Sequence, residues 1–186
     1  SADVTGVGTA RRGLAAASYG TDKAIFGYGL IAPRTAITNL VSNTGVVATD
    51  TSGVGTARRN LAAAGYGTDK AIFGYGNTGS NTAVTNLVSN TGVVGSSVTG
   101  VGTLRSELSA AGYGTDKAIF GYGYTGSVVS MTNLVSNTGV VSSDTTGVGT
   151  ARRQLAAAGY AADKAIFGYG DDQVTPYLSL THLVSN

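Results

Sequence analysis

Few side chains in this 186-residue chain are suited to chemistry. There is one histidine, His182, and no cysteine. Disulfides and thiolate metal sites are therefore excluded, and so is a zinc site with several imidazoles from one chain. His182 stands where equivalent positions carry Asn39, Asn86 and Asn133. A unique residue in a repeated place invites a functional reading. No serine or aspartate is tied to it by a triad motif, so drift at a turn explains it as well. The recurring charges are the other candidates. Arg11, Arg58, Arg105 and Arg152 precede alanine-rich segments, and Asp22, Asp69, Asp116 and Asp163 follow them. Four like charges gathered about one axis repel unless neutralised. Either each arginine pairs with a carboxylate or backbone carbonyls of a neighbouring unit, or the arginine end is an anion site. A cation site at the aspartate end is the third option. The adjacent Lys23, Lys70, Lys117 and Lys164 weaken it.

The elements that carry these groups are repeated. Asp-Lys-Ala-Ile-Phe-Gly-Tyr-Gly recurs from Asp22, Asp69, Asp116 and Asp163, a spacing of 47. A unit of that size cannot bury a face alone, so neighbours must share a core. In the second unit, Lys70 to Tyr75 alternates as a strand does. Ala71, Phe73 and Tyr75 are expected on one face, Lys70, Ile72 and Gly74 on the other. Gly65 to Asp69 reads as a turn, Ala83 to Val88 as a third strand, and Val93-Val94 as the start of a fourth. Thr56 to Gly65 is ambiguous. Its threonine, arginines, alanines and closing glycine also suit a short helix.

The order Arg-x-x-Leu-Ala-Ala-Ala, turn, Asp-Lys-Ala-Ile-Phe-Gly-Tyr-Gly, loop, Thr-Asn-Leu-Val-Ser-Asn resembles the kelch motif, four times over, across essentially the whole chain. Two departures are a tyrosine splitting the glycine pair and the absence of tryptophan. The resemblance implies an all-β fold, a β-propeller of four 47-residue blades with the alanine-rich strand innermost. The chain then reads as one repeat domain over 1–186, with units 1–43, 44–90, 91–137 and 138–186. Residues 1–12 align with 48–59, so the N-terminal strand is expected to complete the last blade. Two chains forming an eight-bladed ring is the alternative.

Composition narrows function. A net charge of +2 with 12% charged residues argues against a nucleic-acid binder. No apolar run approaches membrane-spanning length, and Ser1 to Thr5 shows no basic region followed by an apolar core. Gly53–Arg58, Gly-Val-Gly-Thr-Ala-Arg, lacks the third glycine of a dinucleotide motif and reads as a turn between units. No cofactor, metal or enzymatic activity is expected. The units differ most in the loop after Gly-Tyr-Gly, which carries Ile31, Arg34, Asn77, Asn81, Tyr124, Asp171, Asp172 and Tyr177. In a propeller these loops share one face, and loops on a rigid scaffold are where recognition sits. The expected function is structural or interactive, with a protein or glycan partner and homo-oligomers or larger assemblies in view. A multivalent carbohydrate-binding propeller is the alternative.

Overall fold

The computed structural model describes residues 5–175 and 177–185. Among them there is no helix. Twelve strands form four three-stranded antiparallel sheets. The first holds β1 (Ala15–Tyr19), β2 (Lys23–Gly27) and β3 (Thr38–Val41). The second holds β4 (Ala62–Tyr66), β5 (Lys70–Gly74) and β6 (Thr85–Val88). The third holds β7 (Ser109–Tyr113), β8 (Lys117–Tyr124) and β9 (Val128–Val135). The fourth holds β10 (Ala156–Tyr160), β11 (Lys164–Gly168) and β12 (Thr181–Ser185). In every sheet the strands lie in chain order.

The alanine-rich segments are strands because space decides against helix. Alanine's helix preference is worth only tenths of a kcal/mol per residue, ~0.7 at most against ordinary residues. Against it stand a full ladder to the next strand, from Ala62–Gly74 to Tyr66–Lys70, and backbone packed close by on the neighbouring sheet. A β-carbon on Gly65 would stand 3.2 Å from Ser18 Oγ, and one on Gly159 would stand 2.6 Å from the Gly112 carbonyl oxygen. Only small residues allow inner strands to approach so nearly. β1 packs on β4, β4 on β7 and β7 on β10.

The turn after the inner strand is shorter than its sequence suggests. Gly65 and Tyr66 remain in β4, and Tyr66 pairs with Lys70. The reversal is made by Gly67 and Thr68 at φ of 59° and 69°, two successive left-handed residues. The third strand is also shorter, starting at Thr85 instead of Ala83.

The expected fourth strand is an interrupted segment. Residues 47–51 bridge back to β3 at Val41–Val47 and Thr38–Thr51. Three steps along β3 thus face four along the outer segment, and an extra residue breaks the ladder. The same bridges recur at Val88–Val94 with Thr85–Val98, and at Val135–Val141 with Thr132–Thr145. The outer segment 47–51 therefore bridges to the first sheet although it lies wholly within the unit drawn as 44–90.

Both faces of a middle strand are buried, because a sheet stacks on each side. Ala71, Ile72 and Phe73 are all fully buried. Phe73 and Tyr75 do not share a face as expected. β5 ends at Gly74, and Tyr75 takes φ of 61°. That turn of the backbone costs ~1–2 kcal/mol for an L-residue. It sends Phe73 back to Tyr28 of the preceding sheet and Tyr75 forward to Phe120 of the next, each pair with ring centres 5.1 Å apart. Tyr28, Tyr122 and Tyr169 share the conformation, each at 64°.

Among the described residues no hydrogen bond or bridge joins the first sheet to the fourth. The expected closing strand falls partly on residues 1–4, outside the described residues; no bridge joins residues 5–12 to β12.

Candidate functional site

Arg11, Arg58 and Arg105 are each held by the carbonyl of the tyrosine in the Gly-Tyr-Gly of their own sheet. Arg58 Nε donates to the Tyr75 carbonyl at 2.9 Å and Nη1 to the Thr56 carbonyl at 3.0 Å. Its guanidinium lies 4.2 Å from the centre of the Tyr28 ring on the preceding sheet. Arg105 repeats this against Tyr122 and Thr103, over Tyr75, and adds Asn133 Oδ1 at 2.6 Å and Asp144 at 3.9 Å. Arg152 lies 4.3 Å from the Tyr122 ring centre. Arg11 bonds Tyr28 and Asn39 of its own sheet and lies 3.8 Å from Asp50. Arg58, Arg105 and Arg152 are buried, and burial lowers the pKa of Arg58 and Arg105. They stand between sheets, where an anion from solvent does not reach them. The carbonyls and carboxylates expected from a neighbouring unit come instead from the arginine's own sheet, and what the preceding sheet supplies to Arg58, Arg105 and Arg152 is a tyrosine ring.

The aspartates that follow the inner strand sit at the opposite end. Asp22, Asp69 and Asp163 each pair with the lysine next in sequence, at 3.0, 2.9 and 2.7 Å. Among the described residues no group of three or more acidic or imidazole side chains could hold a metal ion.

The variable loops lie at the end where the inner strands begin, and they touch in series. Arg34 Nη2 donates to Asn77 Oδ1 at 2.9 Å. Asn81 Nδ2 donates to the Tyr124 carbonyl at 2.9 Å. Gln173 Oε1 accepts from the Val128 N–H at 3.2 Å. Three links thus tie four loops into one continuous rim. Each loop is anchored beneath by paired backbone bonds, such as Arg59 with Asn77 and Arg153 with Asp171. Ile31 and Tyr177 are exposed, Tyr177 to 90%. Asp172 stays local, accepting from the Val174 and Thr175 N–H groups.

Sequence reasoning missed the second arginine of each pair. Arg153 bridges Glu107 at 3.3 Å and Asp171 at 3.4 Å, and lies 5.0 Å from the centre of the Tyr124 ring. The signal was the Arg-Arg doublet at 11–12, 58–59 and 152–153. Adjacent residues on an extended backbone point opposite ways. The first member enters the junction between sheets, and the second meets the loop rim.

The position of His182 has a structural use. Asn39 Nδ2 donates to the Ala48 carbonyl, and Asn86 and Asn133 make the same bond to Gly95 and Ser142. These amides hold the interrupted outer segment to its sheet. His182 replaces them in the fourth sheet, and its Nδ1 lies 2.8 Å from the Tyr122 hydroxyl. Burial, and then the charge of Arg152, hold the His182 pKa below the ordinary imidazole range. Asp50 is held below the usual carboxylate range by Thr9 and then Asn39. Asp144 is pushed up by burial, but hydrogen bonds from Thr103 and Asn133 outweigh this and its pKa is also lowered.

All three shifts favour the folded state at neutral pH and oppose it on acidification. A group with a lowered folded pKa gives its stability above its unfolded pKa and loses it as pH falls through the folded value. Stability is therefore expected to decline first below about pH 6.5, the imidazole's unfolded range, and again below about pH 4, the carboxylates' range. Denaturant midpoints measured against pH check this. His182→Asn should remove the upper step and leave the lower one.

A comparison of the chain with models of known protein families gives no match. No curated protein matches it in sequence.

Proposed function

We propose that the chain is a non-enzymatic, kelch-like propeller module that presents its loop rim to a macromolecular partner. The four sheets are read as its blades. The carrying observation is that the parts of the four units that differ most in sequence are hydrogen-bonded side by side on one face. The near-identical parts lie beneath them, where Phe, Tyr and Arg fill the spaces between sheets. A rigid base with unlike loops suits recognition. Ile31 and Tyr177 supply exposed apolar and aromatic surface of the kind that anchors protein contacts.

The alternative, a lectin with equivalent sites between blades, would draw on the Tyr66-type residues. Tyr19, Tyr66 and Tyr113 are buried, and a β-carbon on Gly139 would meet the Tyr66 hydroxyl at 2.9 Å. That packing favours the rim over the gaps.

The experiment is a loop exchange. Residues 30–35 and 171–178 are replaced by the second unit's loop sequence, and both proteins are screened on a peptide library and a glycan array. The expected result is peptide binding by the native chain that falls at least tenfold in the exchanged chain, with the thermal midpoint unchanged. Glycan binding that survives the exchange and is lost on Tyr66→Ala would overturn the proposal.

A further inference from the structure

The three junctions between successive sheets are one contact made three times. In each, a phenylalanine of the following sheet lies on a glycine of the preceding one. A β-carbon at Gly27 would meet Phe73 Cζ at 2.6 Å, one at Gly74 would meet Phe120 Cζ at 2.5 Å, and one at Gly121 would meet Phe167 Cζ at 2.9 Å. In each, an arginine of the following sheet covers the tyrosine after that glycine. Backbone bonds cross at the same places. Gly29, Gly76 and Gly123 N–H donate to the carbonyls of Arg58, Arg105 and Arg152 at 2.9, 2.9 and 3.0 Å. The hydroxyls of Tyr28, Tyr75 and Tyr122 donate to the carbonyls of Val54, Val101 and Val148 at 3.0, 3.0 and 3.2 Å.

Each junction has a leading half and a following half. The second and third sheets use both. The first sheet uses only its leading half and the fourth only its following half, so each displays the complement of the other. Phe26 is 36% exposed, whereas Phe73, Phe120 and Phe167 are fully buried. Tyr169 is 62% exposed, whereas Tyr28, Tyr75 and Tyr122 are fully buried. A β-carbon at Gly168 would meet only Thr181 Cγ2, at 3.4 Å, and no aromatic ring. Arg11 makes its bonds to its own sheet without lying over a tyrosine.

We infer that the exposed face of the fourth sheet docks on the exposed face of the first sheet of a second copy of this chain, head to tail. The second copy's Phe26 then lies on Gly168, and its Arg11 lies over the Tyr169 ring. Gly170 N–H donates to its Arg11 carbonyl, and the Tyr169 hydroxyl donates to its Val7 carbonyl. The argument is continuity with a junction already present three times, and it is independent of the loop-rim reading. A contact between unlike faces leads to a ring where the rotation closes and to a filament where it does not. Two chains and eight sheets make the smallest such ring.

Mass in solution tests this, by light scattering and native mass spectrometry. The native chain is expected at twice its 18.5 kDa or a higher multiple. Phe26→Asp and Tyr169→Asp are each expected at the single-chain mass, with an unchanged strand signature in circular dichroism. Mixed together they should form a one-to-one pair, because one undamaged junction remains between them. If Tyr169→Asp folds poorly, Gly168→Val fills the phenylalanine's seat without adding charge and should give the same mass and the same pairing. A native chain that stays at 18.5 kDa at every soluble concentration overturns the inference. So does a Tyr169→Asp protein that keeps the native mass, which would mean that like faces meet.

Discussion

Phe73→Ala is expected to lower the unfolding free energy by about 3–5 kcal/mol, among the largest losses from any single truncation in the chain. Phe73 is fully buried and crosses the first junction. Its ring contributes roughly 1.5–3 kcal/mol by burial and about 0.5–1.5 more through the edge-on contact with Tyr28. Gly27 cannot move in to fill the space, because its backbone is held in the β1–β2 ladder opposite Ala15. A cavity therefore remains and adds to the loss. Urea melts followed by circular dichroism give the number. Phe26→Ala is the internal control: measured at dilution on the single chain, it should cost only about 1–2 kcal/mol, since its ring already faces solvent in part. Equal losses at the two positions, or less than 1 kcal/mol at Phe73, would refute the account of where the core lies.

The second large effect is at Arg105. Replacing it with methionine keeps much of the volume but removes the charge and the fork of donors. Asn133 Oδ1 and the Tyr122 carbonyl, which accept from it at 2.6 and 2.8 Å, are then left buried without that donor. Each such orphan costs about 1–3 kcal/mol. The cation over Tyr75 is lost as well, about 2 kcal/mol when desolvated. These terms share one network and do not add; a loss of about 3–5 kcal/mol is expected, in line with breaking a buried charged network from one side. Arg105→Lys should recover only part of it, because an ammonium cannot reproduce a planar fork that bonds Asn133 and Tyr122 while stacking on Tyr75. A lysine variant as stable as the native chain would show that charge alone matters. Arg58→Met should cost less, since Ser97 stands where Asp144 supports Arg105.

The 47-residue period, the strand-like Lys70–Gly74 segment and the place of the turn at Gly67–Asp69, though not its length, were legible in the sequence alone, because periodicity and turn chemistry are local. So was the absence of thiolate sites and of any site with several imidazoles in one chain, which follows from counting ligand types. The variable loops were legible too, since repeats expose their own differences.

Tertiary structure decided the rest. Alanine runs became strands only because the neighbouring backbone lies too near for anything larger. Phe73 and Tyr75 parted company because a positive φ at Tyr75 lets one strand grip the sheet behind and the sheet ahead. Paired arginines look equivalent on paper, yet one is buried between sheets and the other meets the rim, since a side chain's surroundings depend on what packs against it. The incomplete halves at Phe26 and Tyr169 are also invisible in a repeat, where every unit reads alike. Only burial distinguishes a unit with neighbours on both sides from one at the end.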